Sequence, residues 1–157
     1  MNKVLYESLV IDTEMRFVAP ELQDLLDYWT SKCNGRRMPA RADIDPLEMK
    51  PHLGRLVLTD VLPATPQSRF RYRLVGATVC EYLGRDSTGR YLDELYGRGY
   101  EYMIVGYRWI LEHRRPIRVT GDLRHANRQW ARLESVELPL SADGETVNMI
   151  MTRSAFS

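Results

Sequence analysis

The chain has 157 residues, of which 44% are hydrophobic and 27% charged, with a net charge of +1. That length can bury a sizeable core in one domain, and the balance argues against a disordered chain, a membrane-embedded one, or a strong net field for nucleic acid. Glu7, Asp12 and Glu14 interrupt any apolar signal-peptide core, no apolar run approaches the roughly 18 residues of a membrane span, and Cys33 and Cys80 form no CxxC pair, so a cytoplasmic protein in a reducing compartment is expected.

Residues 1–19 read as an N-terminal arm or short strand, and 20–157 as one domain without repeat or linker. PELQDLLDYWTSKCNG carries Leu22, Leu25, Leu26 and Trp29 at i, i+3, i+4, i+7, which predicts a first helix ended at Gly35. MPARADIDPLEM then places Arg41, Asp43, Asp45 and Glu48 close together. A metal site or an acid/base pair would use such carboxylates. A capping box uses them too: Asp45 accepting from the N3 amide, Pro46 at N1, Glu48 reaching back. The capping reading is preferred, because no histidines or further carboxylates stand nearby to complete a metal shell. Asp43 is left to pair with Arg41.

RLVLTDVL (55–62) and RFRYRLVG (69–76) predict two strands. The first is apolar on both faces and so central and covered twice. The second alternates, with Phe70, Tyr72 and Leu74 on one face and Arg69, Arg71 and Arg73 on the other. ATVCEYLGRDSTGRYLDELYG predicts a short helix, a turn and another short helical piece. YEYMIVGYRWILEHRR predicts a longer helix over 100–115, with a stripe of Tyr102, Val105 and Trp109, stopped by Pro116. Strands follow at 116–123, at 128–140 and in ETVNMIMTR, the last two joined by a hairpin through Asp143-Gly144. The fold class is therefore α+β, an antiparallel five-stranded sheet with a helical crossover on one face. The first helix, or a second subunit, would cover the other face.

This order, together with YWTSKCNGRRMPARADIDPLEM, RFRYRLVGATVCEYLGRDSTGRYLDEL and VELPLSADGETVNMIM, resembles the PAS sensor domains, in particular short bacterial proteins that are little more than one PAS domain. The resemblance spans roughly residues 20–152 and is densest where a strand ends in L-V-G, a short helix follows, and G-R-D-x-x-G opens the crossover. It implies a sensory or regulatory module in signal transduction rather than an enzyme. Such a module cups a small ligand between sheet and crossover, or works by protein–protein contact, and the family brings no catalytic residues. With no output segment attached, a signal would pass to a separate signalling protein, and a homodimer sharing a sheet face is expected. Photoactive flavin chemistry is not supported, because Gly84-Arg85-Asp86-Ser87 stands where such domains carry a cysteine, and Cys80 lies upstream. Haem is not supported either: the one histidine of the crossover helix, His113, sits at its C-terminal end, where it suits the helix dipole, and His52 and His125 fall in predicted turns.

Tyr72, Tyr82, Tyr91, Tyr102 and Trp109 line a ligand pocket or fill a core, and Thr59 and Ser135 would be polar anchors if their register turns them inward. The arginines 69, 71, 73, 114, 115, 118, 124 and 128 read as a solvated face rather than a phosphate or nucleic-acid site, given the acids between them. The competing reading is a small α+β cup enzyme of isomerase or dehydratase type. It would use an acid or tyrosine facing an apolar cavity, and Tyr72, Asp60 and Glu137 are its candidates. A buried, isolated carboxylate in a cavity is the feature that would favour it. No G-x-S-x-G, P-loop or Rossmann pattern is present.

Overall fold

The computed structural model describes residues 9–125 and 128–156, with side chains described except at 122–131 and 156. The expectations for Arg124, His125 and Arg128 as side chains lie outside that range. Strands β1 (Val10–Asp12), β2 (Leu56–Leu62), β3 (Arg69–Val75), β4 (Ile117–His125), β5 (Arg128–Leu140) and β6 (Met149–Phe156) form one antiparallel sheet in the order β1-β4-β5-β6-β2-β3. The sheet thus has six strands, not five. Val10, Ile11 and Asp12 alternate against Thr120, Val119 and Arg118 and add an edge beyond β4. The helices are α1 (Pro20–Cys33), α2 (Ala77–Leu83), α3 (Leu92–Tyr96), α4 (Tyr100–Met103) and α5 (Val105–His113).

Register divides the sheet into two buried faces. Leu56, Leu58, Val136, Leu138, Leu140, Met149 and Met151 share one face, and α1 lies over it with Leu22, Leu25 and Trp29 buried. Each of these three side chains contributes roughly 1.5–3 kcal/mol of burial. The Trp29 indole donates to the Pro139 carbonyl at 2.8 Å. Pro139 is tolerated in β5 because the last β4 pair is Ile117 with Glu137, so no ladder bond to β4 is lost there. The first helix, not a second subunit, therefore covers this face.

The crossover α2–α5 covers the other face, where Phe70, Tyr72, Ile117, Val119 and Ile150 are buried. Leu74 does not join Phe70 and Tyr72. The register of β3 slips at Leu58/Thr59, so that Leu58 opposes Leu74 while Thr59 opposes Tyr72, and Leu74 is turned to the far face and left 43% exposed. A one-residue bulge inverts whatever alternation lies beyond it.

The crossover helix is also not one piece. Ile104 (ψ 6°) divides α4 from α5. Its buried side chains are Ile104, Tyr107 and Ile110, while Tyr102 and Val105 are exposed. The stripe through 102, 105 and 109 loses to this larger apolar set at i, i+3, i+6, with half-buried Leu111 adjoining it.

The L-V-G turn has a physical reason. A Cβ on Gly76 would stand 2.4 Å from the carbonyl oxygen of Gly54, in the single 3-10 turn Leu53–Arg55 that leads into β2. Only glycine lets these two backbones meet, and the Gly76 amide donates to Leu56 O at 2.8 Å. The β5–β6 hairpin forms as expected. Asp143 accepts from the amides of Glu145 and Thr146, and those bonds hold its carboxyl down at about 2.

A candidate ligand site under the crossover

The four charged residues of MPARADIDPLEM are structural. Asp45 caps the 3-10 turn Pro46–Met49 by accepting from the Leu47 amide at 2.9 Å. Glu48 does not reach back to the cap. It accepts from the Tyr28 hydroxyl at 2.9 Å and pairs with Lys32 at 2.8 Å, tying the turn to α1. Asp43 pairs with Arg36 at 2.8 Å rather than with Arg41, whose guanidinium donates to Ile44 O. Among the described residues no group of three His, Cys, Asp or Glu side chains is placed to hold a metal ion.

The arginines are largely matched by carboxylates. Arg69 binds Asp93 and Glu94, with its guanidinium 3.9 Å from the Tyr91 ring centroid. Arg71 and Arg73 both bind the buried Asp60. Arg114 binds Glu145, and Arg118 joins Asp12 to Glu134. Arg115 lies over Trp109. A face so neutralised offers little free positive charge to phosphates.

The crossover face holds a buried acidic group, Glu137, that pairs with no arginine or lysine among the described residues. Register places Glu137 on the same face as Ile117 and Thr152, directly beneath α5. Its carboxylate lies against Gly106, where an added Cβ would come within 3.0 Å of Oε1 and 3.3 Å of Oε2. Glycine at 106 is what lets the helix pass over the acid. Glu137 is 8% exposed, and its Oε2 has no hydrogen-bond partner among the described residues. Burial pushes its carboxyl up to about 8, so at neutral pH it is mostly the uncharged acid.

Glu137 borders a cavity of about 310 Å³ lined also by Leu9, Ile11, Tyr102, Met103, Val105, Gly106 and Val119. Leu9 and Ile11 come from the N-terminal edge strand and its approach, Val119 from β4, and the rest from α4 and α5. Tyr102 and Val105 are 44% and 50% exposed and form its rim. Among the described residues Glu137 is the one acidic or basic side chain in this lining. Beside it the core is packed: Tyr107 bonds Thr59 at 3.2 Å and sits 5.3 Å from the Phe70 ring, and Tyr72 bonds Tyr96 at 2.7 Å. The Tyr107 phenol is raised well above its ordinary range, by burial first and then by the nearby Glu137.

Of the residues expected to line a pocket, Tyr102 borders this cavity. Thr59 and Tyr72 lie in the packed layer next to it, and Ser135 is buried on the same sheet face opposite Val119. Tyr82 is half-buried on α2, and Tyr91 sits at the start of α3 under Arg69. Trp109 stacks on His113 at 4.0 Å and borders a separate cavity of about 290 Å³ with Trp29 and Leu26. His113 is exposed there, its Nδ1 2.9 Å from Trp109 O. His52 stands in a turn, as expected, where it is buried and hydrogen-bonds the Arg153 guanidinium. Both cysteines are free.

Glu137 had a signal in the sequence: a lone acid in the apolar run VELPL. Gly106 had none, because its role is set by β5, about thirty residues on.

A five-stranded antiparallel core in the order β4-β5-β6-β2-β3, with helices α2–α5 crossing one face over a partly open cavity, defines a sensor-type α+β cup. The sequence profile of the PAS domain matches residues 17–152, and the chain belongs to that family. The edge strand β1, with Leu9 and Ile11, lies before the matched residues. None of the curated proteins searched matches the chain. Among the described residues no helix is long and apolar enough to cross a membrane.

Proposed function

We propose that this PAS domain is a sensory or regulatory module that binds a small molecule in the cavity under α4 and α5, and passes its state to a separate signalling protein. The observation that carries the reading is Glu137: a buried acid with an oxygen unpartnered among the described residues, at the wall of a cavity lined largely by apolar side chains, with Tyr102 at its rim. A structural role would give that oxygen a partner, since an unmade buried hydrogen bond costs about 1–3 kcal/mol. A ligand supplies one. A mainly apolar cavity with a few convergent polar groups is the usual form of a small-molecule site. Tyr102 and Val105 at the rim are where occupancy would be felt on the surface.

The test is native mass spectrometry of the protein purified from its own host, against a denatured sample. A stoichiometric small molecule lost on denaturation supports the reading. Repeated recovery of empty protein in a stable dimer, or with a co-purifying protein, turns it toward constitutive protein contact.

The same carboxyl favours a second reading, an acid/base enzyme. A carboxyl poised near pH 8 can donate and recover a proton at neutral pH. This reading expects the mass of a bound molecule to change with time in the wild type and to stay fixed in Glu137→Gln. An unchanging ligand in both would remove it.

A further inference from the structure

We infer that the ligand of this cavity is an amine: a protonated primary or secondary nitrogen carried on a compact apolar body, received by the Glu137 carboxylate. The inference rests on the ligand reading above and gives that ligand its chemical class.

Three observations lead to it. The lining supplies apolar groups from Leu9, Ile11, Met103, Val105 and Val119, which call for a hydrocarbon or aromatic body. The volume, about 310 Å³, is at the small end for ligand sites and suits a molecule of modest size. The polar opening is at Glu137: its Oε2 is bare, and among the described residues the lining holds no lysine or arginine and no cation pairs with Glu137, so its carboxylate form is open to a donor from a ligand. An anion would hold Glu137 in its protonated form and find, among the described lining, no lysine or arginine to neutralise it. An ammonium group makes a charge-assisted hydrogen bond to the carboxylate and removes the cost of burying it alone.

The proton balance is explicit. In the empty protein at pH 7 Glu137 is mostly protonated, because burial holds its carboxyl near 8. A free alkylamine is protonated as well. The complex pairs ammonium with carboxylate, so Glu137 releases its proton to solvent as the amine enters. Affinity therefore rises with pH up to about 8 and then levels.

The test uses the full chain and three probes of similar shape: phenethylamine, 2-phenylethanol and 3-phenylpropionate. Isothermal titration calorimetry is run at pH 7 in two buffers of different ionisation enthalpy. Phenethylamine is expected to bind best, with release of close to one proton, and to lose about tenfold to a hundredfold in affinity in Glu137→Gln. If 2-phenylethanol binds as well as phenethylamine, or phenethylamine binds without proton release, the amine inference is overturned and the cavity reading stands. If none of the three binds, the amine inference is overturned, and the native mass spectrum alone still decides the cavity reading. The comparison among probes is made on the wild type, so it holds even if Glu137→Gln folds poorly.

Discussion

A carboxyl buried without a cation settles its cost by staying protonated. Glu137 does so, and its neighbour Tyr107 is the residue most exposed to that choice. The Tyr107 phenol is buried and bonds Thr59 Oγ1 at 3.2 Å. Tyr107→Phe removes this bond and leaves the Thr59 hydroxyl without its phenol partner. We expect a loss of about 1–2 kcal/mol by urea denaturation, against a change of under about 0.5 kcal/mol for Tyr102→Phe at the exposed rim. An equal loss at both positions would contradict the packing described. At this scale the sequence was partly legible. The carboxylates at 45 and 48 were readable as turn grammar because a cap is local, and Asp45 does cap the turn, through the Leu47 amide at N2 rather than the N3 amide. The partners of Glu48 and Asp43 were not, since Tyr28, Lys32 and Arg36 are brought in by the way α1 folds back. Thr59 and Ser135 turn toward the crossover, which a one-residue uncertainty of register had left open.

Elements were more legible than their faces. Helix α1, the pairs β2–β3 and β5–β6, and the short helices α2 and α3 stand near their expected limits, because apolar periodicity and turn residues are local signals. The bulge at Leu58/Thr59 and the break at Ile104 were not legible, because each answers to a surface supplied by another element. Edge strand β1 was read as an arm or a short strand, for three residues carry almost no period. Two glycines show how element contacts set tolerance. Gly76→Ala drives a Cβ to 2.4 Å from the Gly54 backbone, where nothing but backbone can yield. Gly54→Ala meets only Thr78 Oγ1 at 3.1 Å, a side chain that can rotate. Chemical denaturation should give a loss of about 2–4 kcal/mol for Gly76→Ala and under about 1 kcal/mol for Gly54→Ala. The reverse order would mean that the L-V-G turn does not close on the 3-10 segment.

At the scale of the molecule, the ionisable groups act in separate pH windows. Burial pushes Glu134 up, but the amides of Val18 and Ala19 and the Arg118 guanidinium outweigh it and leave its carboxyl below the ordinary range. Asp12 is likewise pushed up by burial, yet the amides of Arg16 and Glu14 hold it at about 2. Groups lowered in this way bind fewer protons folded than unfolded, so their stabilisation is present above about pH 4.5 and is lost as the pH falls. His52 is lowered from 6.5 by burial and by Arg153, and its contribution also grows with pH, then levels above 6.5. Burial raises the thiols of Cys33 and Cys80 from 9.0, so they matter only at higher pH. Between 6.5 and about 7.5 the last of the unfolded-state His52 titration opposes Glu137, and from there to 8 Glu137 is the one group with a resolved shift that titrates among the described residues. Its folded value, about 8, lies above the ordinary 4.5, so the folded state holds the extra proton and stability falls as pH rises through that window. The slope is at most about 1.4 kcal/mol per pH unit, giving a fall of about 1.5–2 kcal/mol from pH 6.5 to 8. Glu137→Gln keeps the shape without the proton and should flatten that fall while leaving the acid limb, set by Asp12 and Glu134, in place. Urea midpoints for both proteins at half-unit steps from pH 4 to 8.5 decide it. Parallel curves above pH 6.5 would show that the Glu137 carboxyl is solvated or paired, and the cavity beside it would lose its claim to an unmet donor.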